Sequence, residues 1–430
     1  MLTASLLRWI LTRSRRPFAF EACPLDWHPE VTGLEQIGLY VHIPFCRTLC
    51  SFCPYCRELY TQKKAAVYLP ALLQEIDRTG QAVARQRDES SNPDIATKRR
   101  ATSLYFGGGT PALMLDDLPV IIDRLRQYFE ITEGIGIELH PQDITPENLK
   151  RLRMAGITMV SLGLQSFDPE ALARIGRSED RFAERLGWVR EAGFAVIDVD
   201  LIFAIPGQTQ DSLRRDIALA FDLGATQVST YPFIDFTYAD NRYKPMDKKA
   251  KRQLLDELAH FCQEIGLIRT SVWTFAKPGT GKYSSVTRDA FLGFGLSATS
   301  LLQHTFSINT FSLAGYIGRL EKDQSPTALK LNFSLRQRAA YFLFWGSYGL
   351  LINNQRFTAI IGQPLEKLYG VEMALAVTLG FLRRSGDDYL LTNRAIRFYH
   401  DLEQLYTTAY IDKTWSIARK EAFPRRFTLS

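Results

Sequence analysis

Between residues 37 and 231 the chain alternates short apolar runs with longer stretches whose apolar positions recur every three to four residues, the pattern of strands followed by helices. Residues 37–45, Ile-Gly-Leu-Tyr-Val-His-Ile-Pro-Phe, predict a buried strand ended by Pro44, and a long helical pattern covers about 64–86. A polar connection at 87–101 leads to a strand over Thr102–Phe106, which runs into Gly107-Gly108-Gly109-Thr110-Pro111. A helix near 116–129 follows, with Asp116 and Asp117 near its positive end. Strands over Ile135–Leu139, Thr158–Leu164, Ala195–Phe203 and Thr226–Tyr231 alternate with helices over 146–155, 179–192 and 209–223, closed by Gly156, Gly193 and Gly224. Six strands, nearly all followed by helices, predict an α/β fold with an all-parallel sheet or an incomplete barrel. In such sheets ligands gather at the carboxyl ends of the strands. Here those ends carry a cysteine cluster, the triple glycine, Glu138, Gln165 and Asp200.

Residues 247–266 read as a helix with a basic start, and 270–320 as a Gly/Ser/Thr-rich region. From about 330 the texture changes to long helices, followed by a β-turn and strand pair over Asp387–Asn393. The expected organisation is therefore an N-terminal arm (1–36), a barrel with its extension (37–325) and a small, mainly helical, winged-helix-like C-terminal domain (326–430).

With 46% hydrophobic and 23% charged residues over 430 positions, the composition is that of an ordinary soluble globular protein and excludes disorder or collagen-like repeats as the theme. A net charge of +6 is mild for this length, and no helix concentrates basic residues, so no nucleic-acid partner is expected. No apolar run reaches the roughly 18–20 residues of a membrane span. The closest, Ala339–Ile352, reads as a buried core helix. The first sixteen residues are apolar and basic but lack the order of a signal peptide, so they read as a helix or docking arm that can touch an anionic membrane surface. The expected location is cytoplasmic, with that peripheral contact at the membrane.

Of six cysteines, Cys23 and Cys262 are isolated, while Cys46, Cys50, Cys53 and Cys56 fall within eleven residues. Clustered thiols in a long chain without a signal peptide point to a metal or an iron–sulfur cluster rather than to disulfides. Cys46-x3-Cys50-x2-Cys53 directly follows a strand. A structural zinc site prefers two separated pairs, and the second pair is missing. Three thiolates on one loop can hold three irons of a [4Fe–4S] cube and leave the fourth iron open.

Tyr40-Val-His-Ile-Pro-Phe-Cys46, the cysteine loop, Gly-Gly-Gly-Thr-Pro111, Leu-Gly-Leu-Gln-Ser-Phe167 and Asp200-Leu-Ile-Phe-Ala-Ile-Pro206 together resemble the radical S-adenosylmethionine (SAM) superfamily. The closest branch is that of the oxygen-independent coproporphyrinogen III dehydrogenases, also called HemN-like, and the resemblance covers about residues 37–325. It implies a partial (β/α)6 TIM-like radical SAM barrel, a [4Fe–4S] cluster on Cys46, Cys50 and Cys53, and SAM on the open iron. Cleavage of SAM by an electron from the cluster would yield a 5′-deoxyadenosyl radical that abstracts hydrogen. The electron would come from a donor such as flavodoxin or ferredoxin. By position, Tyr40, Gly108, Glu138 and Thr299 match contacts to the first SAM. Phe52, Gly109, Thr110, Gln165, Arg177, Asp200 and Ile234 match contacts to a second. Taken singly, a glycine triplet is more often a tight turn, and Arg177 more often a surface cation. His42 reads as a packed core residue, and His140, near the mouth, carries no catalytic argument.

Departures from the pattern separate the branches. Coproporphyrinogen dehydrogenases carry a fourth cysteine two residues after the third; here Tyr55 stands there and Cys56 follows. Cys56 is either a thiol near the active site or an ordinary buried cysteine. The His-Asn…Tyr-Trp segment of the haem chaperones is replaced by Lys282-Tyr-Ser-Ser-Val-Thr-Arg288. That segment is similar to the class C methyltransferases, and the likeness puts Tyr283, Ser284, Ser285, Thr287 and Arg288 on the substrate side, against the plain reading of a polar surface loop. The expected function is methylation of an sp² carbon in a conjugated substrate: a quinone such as menaquinone, a tetrapyrrole or a heteroaromatic. The alternatives are an oxygen-independent coproporphyrinogen III dehydrogenase or related porphyrin enzyme, and a haem chaperone.

Overall fold

The computed structural model describes residues 2–14, 16–50, 52–86, 98–178, 181–236, 242–281 and 289–429. The six expected strands are present as β1 (Ile37–Ile43), β2 (Arg99–Gly108), β3 (Ile135–Leu139), β4 (Met159–Gln165), β5 (Val196–Phe203) and β6 (Gln227–Pro232). They lie side by side in chain order and all parallel, as βα repeats with short loops require.

Alternation along each strand sorts the side chains. Ile37, Leu39, Val41 and Ile43 are at most 1% exposed and pack under the surrounding helices, whereas Tyr40 and His42 point to the other face. The register then lines up the polar positions of that inner face. Glu138 is level with Ser161, Ser161 with Asp198, and Asp198 with Gln227. One step further, Gly163 is level with Asp200, and Asp200 with Ser229. A polar belt inside an otherwise apolar barrel is thus a product of strand register.

The Gly/Ser/Thr-rich region contributes strands to the same sheet. The strand β7 (Phe291–Phe294) adds in parallel to β1, and β8 (Thr299–Leu301), β9 (Thr305–Asn309) and β10 (Thr327–Asn332) continue in antiparallel order. Its tight β7–β8 hairpin needs a glycine, because a Cβ on Gly293 would run into the backbone of Thr299. The sheet does not stop at the expected boundaries after residues 36 and 325. The strand Phe18–Ala22 pairs with β10 and with the C-terminal strand Arg426–Leu429, and Phe20 stacks on Phe427 at 4.5 Å. Runs of five and four residues carry too little periodicity to declare a strand.

Glu75, in the helix Gln62–Arg85, ties this extension to the barrel. It accepts hydrogen bonds from Gly295 N–H (2.7 Å), Asn309 Nδ2 (2.6 Å) and Tyr316 Oη (2.5 Å).

After the sheet come helices Leu335–Tyr348, Asn354–Ile361 and Leu365–Thr378, then the strand pair Leu382–Ser385 and Asp388–Leu391, turning at Gly386 and Asp387. The 26-residue helix Asn393–Ala418 follows, its first turn capped by the Thr392 hydroxyl, which accepts from Ala395 N–H. The N-terminal helix Leu2–Thr12 packs on helix Leu335–Tyr348. It is held there by Tyr369 Oη donating to the Leu11 carbonyl at 2.8 Å and by an Arg13–Glu372 ion pair at 2.6 Å. Among the described residues no helix is long and apolar enough to cross a membrane.

Candidate active site

The carboxyl ends of the strands open into a cavity of about 930 Å3. After β1, Phe45–Cys46 pairs with Glu58–Leu59, so the chain leaves the barrel, forms the cysteine loop and returns beside its own start. Cys46 sits buried at the root of the loop, with Cys50 and Cys53 further out, and all three line the cavity. Two guanidinium groups attend Cys50: Arg57 donates to its carbonyl, and Arg177 Nη1 lies 3.9 Å from its Sγ. Burial pushes the Cys46 thiol up to about 12 and raises Cys53 as well, so these sulfurs ionise only where a cation takes the proton's place.

The glycine turn at the end of β2 closes over the root of this loop. Gly108 has φ +117°, and a Cβ there would come within 2.7–2.9 Å of the His42 ring. On Gly109 it would meet the Phe45 carbonyl and lie 2.9 Å from Cys46 Sγ. Gly109 and Thr110 N–H donate to the Ile43 and Phe45 carbonyls, each at 2.7 Å, which pins the turn to β1. Beneath it Tyr40 Oη donates to His42 Nδ1 (2.9 Å), and His42 Nε2–H donates to the Cys56 carbonyl (3.0 Å). Burial lowers His42 to about 4, so it is a neutral structural link, as the sequence suggested.

Glu138 projects from β3 into the cavity. Tyr105 Oη donates to its Oε1 and Gly108 N–H to its Oε2, both at 3.1 Å, and desolvation pushes its carboxyl up to about 7. On β5, Asp200 accepts from Ser161 Oγ (2.5 Å) and Asp198 from Ser229 Oγ (2.8 Å). Burial raises both above the usual carboxylate range, and the charge of Asp198 raises Asp200 further. Gln165 ends β4 in the left-handed region (φ 74°), a conformation costly for a residue with a side chain and kept where the surroundings enforce it. Arg177 Nη2 donates to the Gly163 carbonyl at 3.2 Å; it is 8% exposed and therefore not a surface cation.

All eleven positions matched to SAM contacts line this cavity: Tyr40, Phe52, Gly108, Gly109, Thr110, Glu138, Gln165, Arg177, Asp200, Ile234 and Thr299. Cys56 lines it too, but its thiol points at the Phe311 carbonyl (3.9 Å) and burial pushes it up to about 12, the setting of a packed, unreactive cysteine. His140 accepts from Gln142 N–H, and burial beside Arg177, Arg47 and Arg185 lowers it to about 3, leaving it neutral. Tyr283, Ser284, Ser285, Thr287 and Arg288 lie outside the described residues. Sequence reasoning missed Asp198, Ser161 and Ser229, although Asp198 stands two residues from Asp200 on one strand and so shares its face. It also missed the aromatic wall of Trp273, Tyr341, Trp345 and Tyr348, and the helix Asn393–Ala418 behind it.

The residues fit an iron–sulfur cluster with SAM. Among the described residues no three His, Cys or acidic side chains converge as a single metal ion would require. The three thiols instead share one end of a cavity, and a cubane spreads its irons over separate thiolates. The absence of side chains at Gly108 and Gly109 leaves backbone next to that end, and Glu138 offers an acceptor beside it.

Residues 40–220 match the family model of the Radical SAM superfamily. That stretch is a radical SAM domain, whose cofactors are a [4Fe–4S] cluster and SAM. Within it the similar proteins define the HemN-like branch. The Heme chaperone HemW of Bacillus subtilis is 25% identical over 376 residues, 83% of this chain and 95% of that one. The oxygen-independent coproporphyrinogen III oxidase of Escherichia coli is 29% identical over 317 residues, 67% of this chain and 66% of that one. The solved structure of the coproporphyrinogen III oxidase HemN from Escherichia coli matches with a TM-score of 0.72 at 22% identity, covering 87% of this chain and 91% of that one, and supports the fold.

Proposed function

We propose that this radical SAM enzyme acts on a tetrapyrrole held in the cavity, abstracting hydrogen from one of its substituents in the manner of an oxidase. The observation that carries the reading is the continuity of one cavity from the cysteine loop to the aromatic wall of Trp273, Tyr341, Trp345 and Tyr348, which offers the pyrrole rings a face to stack on. The relatives are coproporphyrinogen oxidases and haem chaperones, which favours porphyrin chemistry over the methylation of a quinone or heteroaromatic expected from the sequence.

Bound SAM and cluster supply a carbon radical able to take a hydrogen atom from an unactivated C–H bond. The chain's own residues do the rest. Cys46, Cys50 and Cys53 hold the cluster, with Arg57 and Arg177 beside Cys50 to offset the charge of the thiolates. Gly108 and Gly109 let the ligand approach the backbone, and Glu138, fixed by Tyr105 and Gly108, accepts from ribose or amino groups. The aromatic wall keeps water from the radical. The reading requires an external one-electron donor of the flavodoxin or ferredoxin kind, and a one-electron acceptor for the electron that the substrate radical gives up as carbon dioxide leaves.

A second reading, methyl transfer to the tetrapyrrole, is favoured by one feature. Gln165, Arg177, Asp200 and Ile234 line the same cavity as the first SAM set, with Asp200 held by Ser161, and would serve a second adenosyl group.

The test uses anaerobically reconstituted, reduced enzyme, SAM with a deuterated methyl group, and coproporphyrinogen III with other porphyrins as substrates, read by mass spectrometry. Loss of carbon dioxide with 5′-deoxyadenosine is the expected result. Deuterium in the porphyrin, with S-adenosylhomocysteine formed, would establish the second reading. No porphyrin-dependent deoxyadenosine would reject both.

A further inference from the structure

A line of polar side chains runs behind the cavity wall, outside the chemistry at the cluster. It starts at Trp273, which lines the cavity and whose Nε1 lies 3.0 Å from His400 Nδ1. His400 Nε2 lies 2.9 Å from the nitrogen of the Gln404 amide, and the oxygen of that amide lies 3.2 Å from Lys251 Nζ. Lys251 Nζ in turn donates to the carbonyl of Phe233, the residue after β6, at 2.5 Å. The helix Lys248–Glu264 supplies Lys251, and the helix Asn393–Ala418 supplies His400 and Gln404. Trp273, His400 and Lys251 are all buried.

Counting hydrogens shows that this line has two arrangements. An indole nitrogen only donates, so a bond from Trp273 needs His400 Nδ1 as acceptor. Burial, and then the charges of Lys251, Arg252 and Arg269, lower His400 to about 3, so the ring is neutral and its one proton then sits on Nε2. That N–H needs the amide oxygen of Gln404, which turns the amide nitrogen toward Lys251. An amide N–H finds an acceptor on Lys251 only when the lysine is a neutral amine. An ammonium demands the reverse: Lys251 donates to the amide oxygen, the amide nitrogen donates to His400 Nε2, and the proton moves to Nδ1, where it faces the indole N–H. The amide stands this second way in the structure, and its nitrogen also reaches the His400 carbonyl at 3.2 Å. A half-turn of the amide, which leaves its shape unchanged, gives up that contact and restores the bond to Trp273.

We infer that Lys251 is a positioning residue for the active site, because the loss of its proton to solvent turns the Gln404 amide and lets His400 hold the Trp273 ring. Burial lowers Lys251 to about 8 against the opposing charge of Asp235, so the exchange falls just above neutral pH. Of the charged groups acting on His400, Arg252 is paired with Asp401. The inference rests on the cavity as the active site and holds for either reaction proposed there.

Ultraviolet resonance Raman spectra of reconstituted holoenzyme, with those of Trp273→Phe subtracted, report the hydrogen bonding of this one indole. Between about pH 6.5 and 9.5 the wild-type band should move from free to hydrogen-bonded with a midpoint near that of Lys251. Lys251→Met should show the bonded band throughout, and His400→Phe the free band throughout. Gln404→Leu, which leaves Lys251 in place and cuts the line, should also abolish the titration and serves if Lys251→Met does not fold. Coproporphyrin III, followed by its absorbance, probes the wall itself. From the lower to the higher pH its affinity for wild type should rise about threefold to fivefold relative to Lys251→Met, the size of one neutral hydrogen bond. A wild-type band that does not move with pH, or one that still titrates in both Lys251→Met and Gln404→Leu, overturns the inference. A band that titrates while the relative affinity stays constant overturns the positioning role. Binding of coproporphyrin III by neither protein rejects the tetrapyrrole reading, and the Raman midpoint still decides whether Lys251 governs Trp273.

Discussion

Glu75 and Glu403 are the same residue type, both nearly excluded from solvent, and burial pushes both carboxyls up to about 7. Their surroundings differ. Glu75 collects three donors from three separate segments, Gly295, Asn309 and Tyr316, and so fastens the antiparallel extension to the first barrel helix. Glu403 has one donor, Thr407, from its own helix, and a second oxygen, buried, that no protein donor meets. A buried carboxylate that organises structure is saturated by the protein; one that is left unsaturated beside a cavity is available to a ligand. Raised proton affinity alone does not distinguish them, because desolvation is the first cause in both.

The largest effect should come from breaking the saturated member. Glu75→Leu leaves three buried donors without an acceptor and should cost roughly 3–5 kcal/mol, read as a lowered urea midpoint of the holoenzyme. Glu403→Leu removes a group that is under-satisfied in the free enzyme and should change stability by less than about 1 kcal/mol, or raise it. Equal losses in the two variants would remove the distinction drawn between them.

A pH series sharpens the same contrast. Glu403 is raised from an ordinary 4.5 to about 7 in the folded chain, so between those values the folded state holds more proton than the unfolded one. Its contribution to stability is complete below about pH 4.5 and is lost as the pH rises through 7. Glu403→Gln lacks this loss, so its stability relative to wild type should climb across that window by at most about 3 kcal/mol and level off above it. Glu75 is common to both proteins and cancels in the difference. A flat difference from pH 4.5 to 7.5 would show that Glu403 is not desolvated.

The barrel was legible because its signals are local. Each strand from Ile37–Ile43 to Gln227–Pro232 is a compact apolar run closed by a glycine, a proline or a capping residue, and the cysteine spacing with the glycine triplet fixes the chemistry at their ends. What stayed hidden depends on distant pairing. Phe18–Ala22 becomes a strand only because Arg426–Leu429 and Thr327–Asn332 flank it, and no residue near position 20 records a partner four hundred positions away. Asp198 was readable from strand period and was passed over. Glu403, Tyr410 and Trp415 lie on a helix whose aromatic spacing is that of ordinary core packing; that the core there is a cavity is a property of the assembled fold.

The smallest expected effect tests how far Glu403 relies on its own helix. Thr407→Val keeps the shape and removes the single internal donor. The carboxylate then loses its stabilising hydrogen bond, so its proton affinity rises further, and the free chain should lose about 1 kcal/mol. A loss as large as that of Glu75→Leu, read as the same urea midpoint, would mean that the hydroxyl, by fixing the rotamer, positions the carboxylate. Glu403 would then be organised by its helix much as Glu75 is by its three donors, and the two carboxylates would differ in degree and not in kind.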